Sequence, residues 1–214
     1  MRITPSLLSA DFTRLAEEIR TVEEAGAHGL HLDVMDGHYV PNLTFGPMLV
    51  AAVRRCTDLP LDAHLMIDNA PEHLGAYADA GADAIAVHPE AVPHLHKTIS
   101  DLRSLDVRPG LAINPLSPLS SLAEALAAVD YVIVMSVNPG WGGQRFIEGS
   151  MDRVRQVRTL AERHHPSLEI VVDGGINASR VAAARDAGAD VLVAGSAVFG
   201  ASDPAAAVRE MLAA

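Results

Sequence analysis

Hydrophobic and polar positions along this chain switch between two periods. Apolar residues first recur at helical spacing, at Phe12, Leu15, Ala16, Ile19 and Val22, with Glu17, Glu18, Glu23 and Glu24 on the other side and Asp11 placed as an N-cap. The run that follows, Gly29–Val34, is short and nearly continuously apolar, as expected of a parallel strand buried on both faces. Between them stands Ala25-Gly26-Ala27-His28, with near-copies at Ala80-Gly81-Ala82-Asp83 and Ala187-Gly188-Ala189-Asp190. Each copy sets a glycine where a helix ends in a left-handed residue, and a strand-like run begins at once.

The three glycines fall two and four units of about 27 residues apart, and a unit of that size holds one strand, one helix and two short loops. Eight units fill the 214 residues. Strands are predicted at Ile3–Leu8, Gly29–Val34, Leu61–Met66, Ala84–Val87, Arg108–Ile113, Tyr131–Val137, Glu169–Val172 and Asp190–Ala194. Asp203-Pro204 opens the last helix, a cap followed by proline at the first helical position. Strict alternation implies a parallel α/β fold, and eight units favour the closed (β/α)8 TIM barrel over an open sheet. Ser136 to Gly149, the longest stretch without regular pattern, is expected to be a functional loop.

Composition narrows the picture. The length supports one sizeable core, and without a linker or low-complexity stretch the expectation is a single domain over residues 1–214. A formal charge of -11, with no basic run, excludes a broad nucleic-acid or anionic-membrane footprint, though not a pocket for one small anion. Nothing approaches the roughly 18 apolar residues of a membrane span, and the start Met1-Arg2-Ile3-Thr4-Pro5 does not resemble a signal peptide, so the expected compartment is the cytoplasm. The lone Cys56 excludes an internal disulfide and is expected to pack in a helix.

In such a barrel the chemistry sits at the C-terminal ends of the strands. Strand two ends His31-Leu32-Asp33-Val34-Met35 and strand three ends Asp62-Ala63-His64-Leu65-Met66, so alternation places His31, Asp33 and Met35 on one face of their strand and His64 with Met66 on one face of theirs, both expected to be the barrel interior. Asp173 ends strand seven. Two imidazoles and two carboxylates converging above the core suit one divalent ion, whether zinc, iron(II), cobalt or manganese. The competing reading is a pair of core histidines satisfied by neighbouring carboxylates. Met35, Met66 and Met135 either fill the core or line the space over the reacting carbons. The other histidines, His28, His38, His73, His88, His94, His96, His164 and His165, show no such convergence and are expected to be structural or solvated.

A second cluster is made of glycines. Asn138-Pro139-Gly140-Trp141-Gly142-Gly143-Gln144, Asp173-Gly174-Gly175 and Gly195-Ser196 follow strands six, seven and eight. Glycine lets backbone amides approach an anion, and barrels commonly bind phosphate after strands seven and eight.

Taken together, Pro5-Ser6-Leu7-Leu8-Ser9-Ala10-Asp11-Phe12, His31-Leu32-Asp33-Val34-Met35-Asp36-Gly37, His64-Leu65-Met66, Val134-Met135-Ser136-Val137-Asn138-Pro139-Gly140, Val172-Asp173-Gly174-Gly175-Ile176-Asn177 and Ala194-Gly195-Ser196-Ala197 resemble the ribulose-phosphate 3-epimerases, in the family's order and over essentially the whole chain. The resemblance implies that His31, Asp33, His64 and Asp173 hold a divalent metal, with Asp33 as proton acceptor and Asp173 as proton donor. It implies that Ser6 and His64 touch the sugar phosphate, and that Gly140, Trp141, Gly142, Gly143, Gly174, Gly175, Gly195 and Ser196 surround its phosphate end. Self-association is implied as well. Two departures are visible: Trp141 stands where the family usually has phenylalanine, and Asn69-Ala70-Pro71 differs from the usual residue followed directly by proline.

The implied reaction interconverts D-ribulose 5-phosphate and D-xylulose 5-phosphate in the pentose phosphate pathway. Inverting a carbinol carbon beside a ketone requires removal of a weakly acidic proton and its return on the opposite face. A Lewis-acidic metal stabilises the resulting enediolate, and two carboxylates on opposite sides serve as base and acid. Alternatives are a phosphorylated hexulose as substrate, a barrel that binds a sugar phosphate without turnover, and an aldolase or decarboxylase on the same fold. Schiff-base chemistry is excluded, because the only lysine, Lys97, lies in a predicted helix away from the strand ends.

Overall fold

Among the described residues, which in this computed structural model are the backbone of 1–214 and every side chain but that of Ser121, eight strands alternate with helices. The strands are β1 (Arg2–Pro5), β2 (Leu30–Met35), β3 (Leu61–Met66), β4 (Ala84–Val87), β5 (Arg108–Ile113), β6 (Tyr131–Met135), β7 (Glu169–Asp173) and β8 (Val191–Ala194). The helices are α1 (Leu15–Glu24), α2 (Pro47–Arg54), α3 (Ala70–Asp79), α4 (Leu95–Ser104), α5 (Ala123–Leu126), α6 (Ser150–His164), α7 (Ala178–Ala187), α8 (Ser196–Phe199) and α9 (Pro204–Ala213). All ladders are parallel, in the order β1-β8-β7-β6-β5-β4-β3-β2. The seam between β1 and β2 is joined by a parallel bridge, Ser6 with His31, and by the His28 amide donating to the Ile3 carbonyl at 2.9 Å. The fold is a single (β/α)8 TIM barrel.

The strands are buried on both sides. Leu30, Leu32 and Val34 of β2, with their counterparts Leu61, Ala63 and Leu65 of β3, join Ile19, Val22, Val50 and Val53 of the flanking helices in the larger core. Inside the ring, β4 and β5 carry Ala84, Ala86 and Ala112, and β6 carries Tyr131, Ile133 and Met135. Small side chains on one wall thus leave room for large ones from the next, and the barrel is packed rather than hollow.

The three repeated glycines have the left-handed backbone expected at helix ends, with φ of 98°, 99° and 99° at Gly26, Gly81 and Gly188. Asp203 caps α9 by accepting from the Ala206 amide at 2.9 Å. Other expectations need correction. The first strand stops at Pro5 rather than Leu8, because the Ser6 hydroxyl caps a 3-10 turn, Leu7–Ser9, by accepting from the Leu8 amide. The sixth strand ends at Met135, short of Val137. Asp11 does cap, but it caps a separate 3-10 turn, Phe12–Arg14, so Phe12 leaves the apolar face of α1 and is 47% exposed against Phe45. Cys56 lies beyond the end of α2 and is exposed rather than packed. Among the described residues no helix is long and apolar enough to cross a membrane.

Candidate metal centre and active site

Alternation along β2 and β3 sends His31, Asp33 and Met35, with His64 and Met66, into the ring, and β2 pairs with β3 so that Asp33 stands beside His64. Asp173, at the end of β7, completes the group from across the barrel. One donor atom from each of His31, Asp33, His64 and Asp173 lies within 4.8 Å of all the others. His31 Nε2 is 3.5 Å from Asp33 Oδ1 and 3.8 Å from Asp173 Oδ2, and His64 Nδ1 is 3.4 Å and 3.8 Å from the same two atoms. Four donors about 2.1 Å from a central ion stand about 3.4 Å apart when tetrahedral, so these edges fit a divalent first-row metal. The two imidazoles are wholly buried, and the two carboxylates keep 7% and 13% side-chain exposure.

A second observation favours an ion over mutual satisfaction. His31 Nε2 and His64 Nδ1 are buried and make no hydrogen bond, whereas the opposite nitrogen of each ring is engaged. Buried polar atoms without partners are rare and costly, and these two both face the same two carboxylates. The donor set, two nitrogens and two oxygens, suits zinc, iron(II), cobalt and manganese alike.

The electrostatics are uneven. Burial alone would raise the Asp33 carboxyl, yet the His31 and His64 imidazoles outweigh it and hold it well below the usual carboxylate range. Asp173 goes the other way: burial and then the Asp33 charge push it up to about 6. Burial would lower His31, but Asp33 and Asp62 keep it well above its ordinary value. Two adjacent carboxylates with opposite shifts are a recurring arrangement for acid and base roles.

Above this floor opens a cavity of about 310 Å³, lined by Ser6, Asp33, Met35, Met66, Met135 and Asp173 at its base. Gly140, Trp141, Gly142, Gly143, Gly174, Gly175, Gly195 and Ser196 line its other side. His31 and His64 lie beneath the floor rather than in the wall. The three methionines are nearly fully buried and also border the cavity, so core packing and lining are the same position. Ser6 donates its hydroxyl to Asp33 Oδ2 at 2.5 Å, which ties it directly to the carboxylate. Glycine is required at 174, where φ is +117° and an added Cβ would stand 2.5 Å from Val137 Cγ2. Trp141 sits at the rim of the Ser136–Gly149 loop, 52% exposed.

The family comparison now decides between kinds of enzyme on this fold. Residues 2–199 match the model of the ribulose-phosphate 3 epimerase family. The chain belongs to this family. Relatives include the ribulose-phosphate 3-epimerase of Bacillus subtilis (strain 168), 47% identical over 99% of this chain and 98% of that protein. The ribulose-5-phosphate-3-epimerase, chloroplastic, of Arabidopsis thaliana is 45% identical over 97% of this chain and 74% of its own length. Among solved structures, a 3-hexulose-6-phosphate synthase superposes with a TM-score of 0.74 at 20% identity, covering 100% of this chain and 99% of that one. The 3-keto-L-gulonate-6-phosphate decarboxylase of Vibrio cholerae O1 biovar El Tor reaches 0.73 at 18% identity, over 99% and 97%. Such distant likenesses carry the barrel and nothing of its chemistry. Membership makes the protein an isomerase, an epimerase with a buried His/Asp cluster able to hold a metal.

Two residues of this epimerase escaped the sequence reading. His88, expected to be structural or solvated, is fully buried at the end of β4, with its Nε2 2.9 Å from His64 Nε2. Asp62 places Oδ2 2.9 Å from His31 Nδ1. The signal was available in both cases, since Ala84, Ala86 and His88, like Asp62, His64 and Met66, follow the period-2 parity of inward positions.

Proposed function

We propose that this epimerase inverts carbon 3 of a ketopentose phosphate, interconverting D-ribulose 5-phosphate and D-xylulose 5-phosphate as part of the pentose phosphate pathway. The observation that carries the reading is the convergence of Asp33 and Asp173 on one buried set of imidazole nitrogens at the base of a glycine-lined cavity. His31, Asp33, His64 and Asp173 would hold one divalent ion, which as a Lewis acid would stabilise negative charge on the ketone and adjacent hydroxyl oxygens.

The chain's own residues do the rest. Asp33, whose carboxyl lies well below the usual carboxylate range, accepts the carbon-bound proton. Asp173, its carboxyl raised to about 6 by burial and by the Asp33 charge and so able both to lose and to regain a proton near neutral pH, returns one on the other face of the planar enediolate, and the roles exchange in the reverse direction. Ser6 holds the Asp33 carboxylate through its hydroxyl. Met35, Met66 and Met135 keep water from the enediolate while offering it no acidic proton. The amides around Gly140, Gly142, Gly143, Gly174, Gly175, Gly195 and Ser196 receive the phosphate, with Trp141 at the rim, so no basic patch is needed and the acidic charge of the chain is no obstacle.

The deciding experiment is turnover of D-ribulose 5-phosphate in deuterium oxide by metal-replete protein. Xylulose phosphate carrying deuterium at carbon 3 is expected. A side-by-side assay with a ketohexose phosphate, turned over faster than the pentose, would overturn the choice of substrate.

A further inference from the structure

Asp62 lies on the inward face of β3, one step deeper in the barrel than His64. Both of its oxygens are taken: Oδ2 is 2.9 Å from His31 Nδ1, and Oδ1 accepts from the Tyr131 hydroxyl at 2.5 Å. His31 and Tyr131 are buried, and Asp62 is nearly so. The phenol reaches this place because β5 offers no side chain opposite it. Gly110 pairs with Tyr131, and a Cβ there would stand 2.3 Å from the ring. At the N-terminal mouth, the Arg108 guanidinium lies 5.5 Å from the centre of the Tyr131 ring, and both Arg108 and Arg2 reach Glu169. A continuous polar line therefore runs from the lower rim of the barrel to a nitrogen ring of the proposed metal cage.

The line has a direction. An ionised carboxylate accepts hydrogen bonds and donates none, so the proton of a neutral His31 sits on Nδ1 and its lone pair on Nε2. That Nε2 is the unpartnered atom facing Asp33 and Asp173. We propose that Asp62 and Tyr131 are positioning residues for His31: the carboxylate fixes the ring in the Nδ1–H form and aims Nε2 into the cage, and the phenol pins the carboxylate. The inference rests on the metal reading given above. An asparagine of the same shape is a poorer support than Asp62: with its one carbonyl oxygen on His31 Nδ1–H it must turn its amide group to the Tyr131 oxygen, reversing that bond, and it brings no charge to strengthen the histidine as a ligand.

The test is titration of chelator-treated protein with cobalt(II), following its visible absorption bands and the Kd by competition. Wild type is expected to bind with a defined band pattern. Asp62→Asn should bind roughly 10- to 100-fold more weakly, with shifted bands, the usual consequence of removing a carboxylate behind a metal-bound histidine. Tyr131→Phe, which keeps the ring and Asp62 but frees one oxygen, should show a smaller loss in the same direction. Asp83→Asn should leave Kd and bands unchanged, because Asp83 borders a cavity at the N-terminal mouth together with Asp62 and Tyr131 but lies off this line. A folded Asp62→Asn protein with wild-type Kd and bands overturns the inference, and if that variant does not fold, an unchanged Tyr131→Phe protein overturns it instead. Absence of cobalt bands and binding in the wild type overturns the metal reading and this inference with it.

Discussion

His64 is held at one nitrogen and open at the other: Nε2 lies 2.9 Å from His88 Nε2, whereas Nδ1 makes no hydrogen bond and faces Asp33 and Asp173. If Nδ1 serves a metal, Nε2 carries the proton and donates to His88, whose own proton then sits on Nδ1, 3.8 Å from Glu90 Oε1. His88 must stay neutral for this, and burial does lower it, to about 4. Replacing His88 by leucine should therefore weaken zinc binding roughly 10- to 100-fold, while glutamine, which can still accept, retains more of the affinity. Competition with a chromophoric chelator measures both. Equal affinity for the two variants would dissociate His88 from the metal.

Asp33→Asn and Asp173→Asn keep shape and remove the ionisable oxygen. Each should lower kcat for epimerisation by about 100-fold or more, in line with loss of a positioned acid or base. Deuterium exchange at carbon 3 should fall with it. A folded variant of either kind with undiminished turnover would refute the assigned roles.

Metal affinity should depend on pH with a definite sign. His31 and Asp173 both hold their protons more tightly than usual, Asp173 up to about 6, and each proton must leave before an ion can bind. Binding is thus expected to tighten from pH 5 to pH 7 and to release protons, measurable by calorimetry in two buffers of different ionisation enthalpy. Because folding raises Asp173, its contribution to the stability of the metal-free protein is complete below the ordinary 3.8 and disappears as pH rises through about 6. An affinity flat between pH 5 and pH 7 would contradict these shifts.

Gly174→Ala places a Cβ 2.5 Å from Val137 Cγ2 at a backbone angle of +117°. Stability should fall by about 1–3 kcal/mol from strain and overpacking. The altered loop should also raise KM for the phosphorylated substrate, and steady-state kinetics with thermal denaturation read both effects.

Trp141 is the chain's only tryptophan, half exposed at the cavity rim. Sugar-phosphate binding should cover it, shifting its fluorescence to the blue in proportion to occupancy. An emission spectrum that stays constant at saturating substrate would remove Trp141 from the binding surface.

The fold was legible because punctuation and periodicity agreed at every level, down to the left-handed angles of Gly26, Gly81 and Gly188. The four cage residues were legible because strand parity places His31 with Asp33, and strand ends locate His64 and Asp173. What stood behind them was not. Asp62 and His88 share that parity, but a lone polar residue beneath the active face looks in sequence like any other, and only the register of β2, β3 and β4 brings each to an imidazole. The predicted strand Ile3–Leu8 overruns the observed one because apolar composition continues through Leu7 and Leu8, whereas a serine hydroxyl competing for a backbone amide ends the strand. Cys56 fell outside its helix because α2 stops at Arg54, a boundary that composition does not mark.

The seam between β1 and β2 has one more consequence. Ser6 and His31 bridge that joint, and the Ser6 hydroxyl crosses it to Asp33, while the cage itself spans from β2 and β3 on one side to β7 on the other. An ion bound there would act as a clasp on the hoop where its backbone stitching is thinnest, so the same atoms that serve turnover would also govern how often the ring springs open.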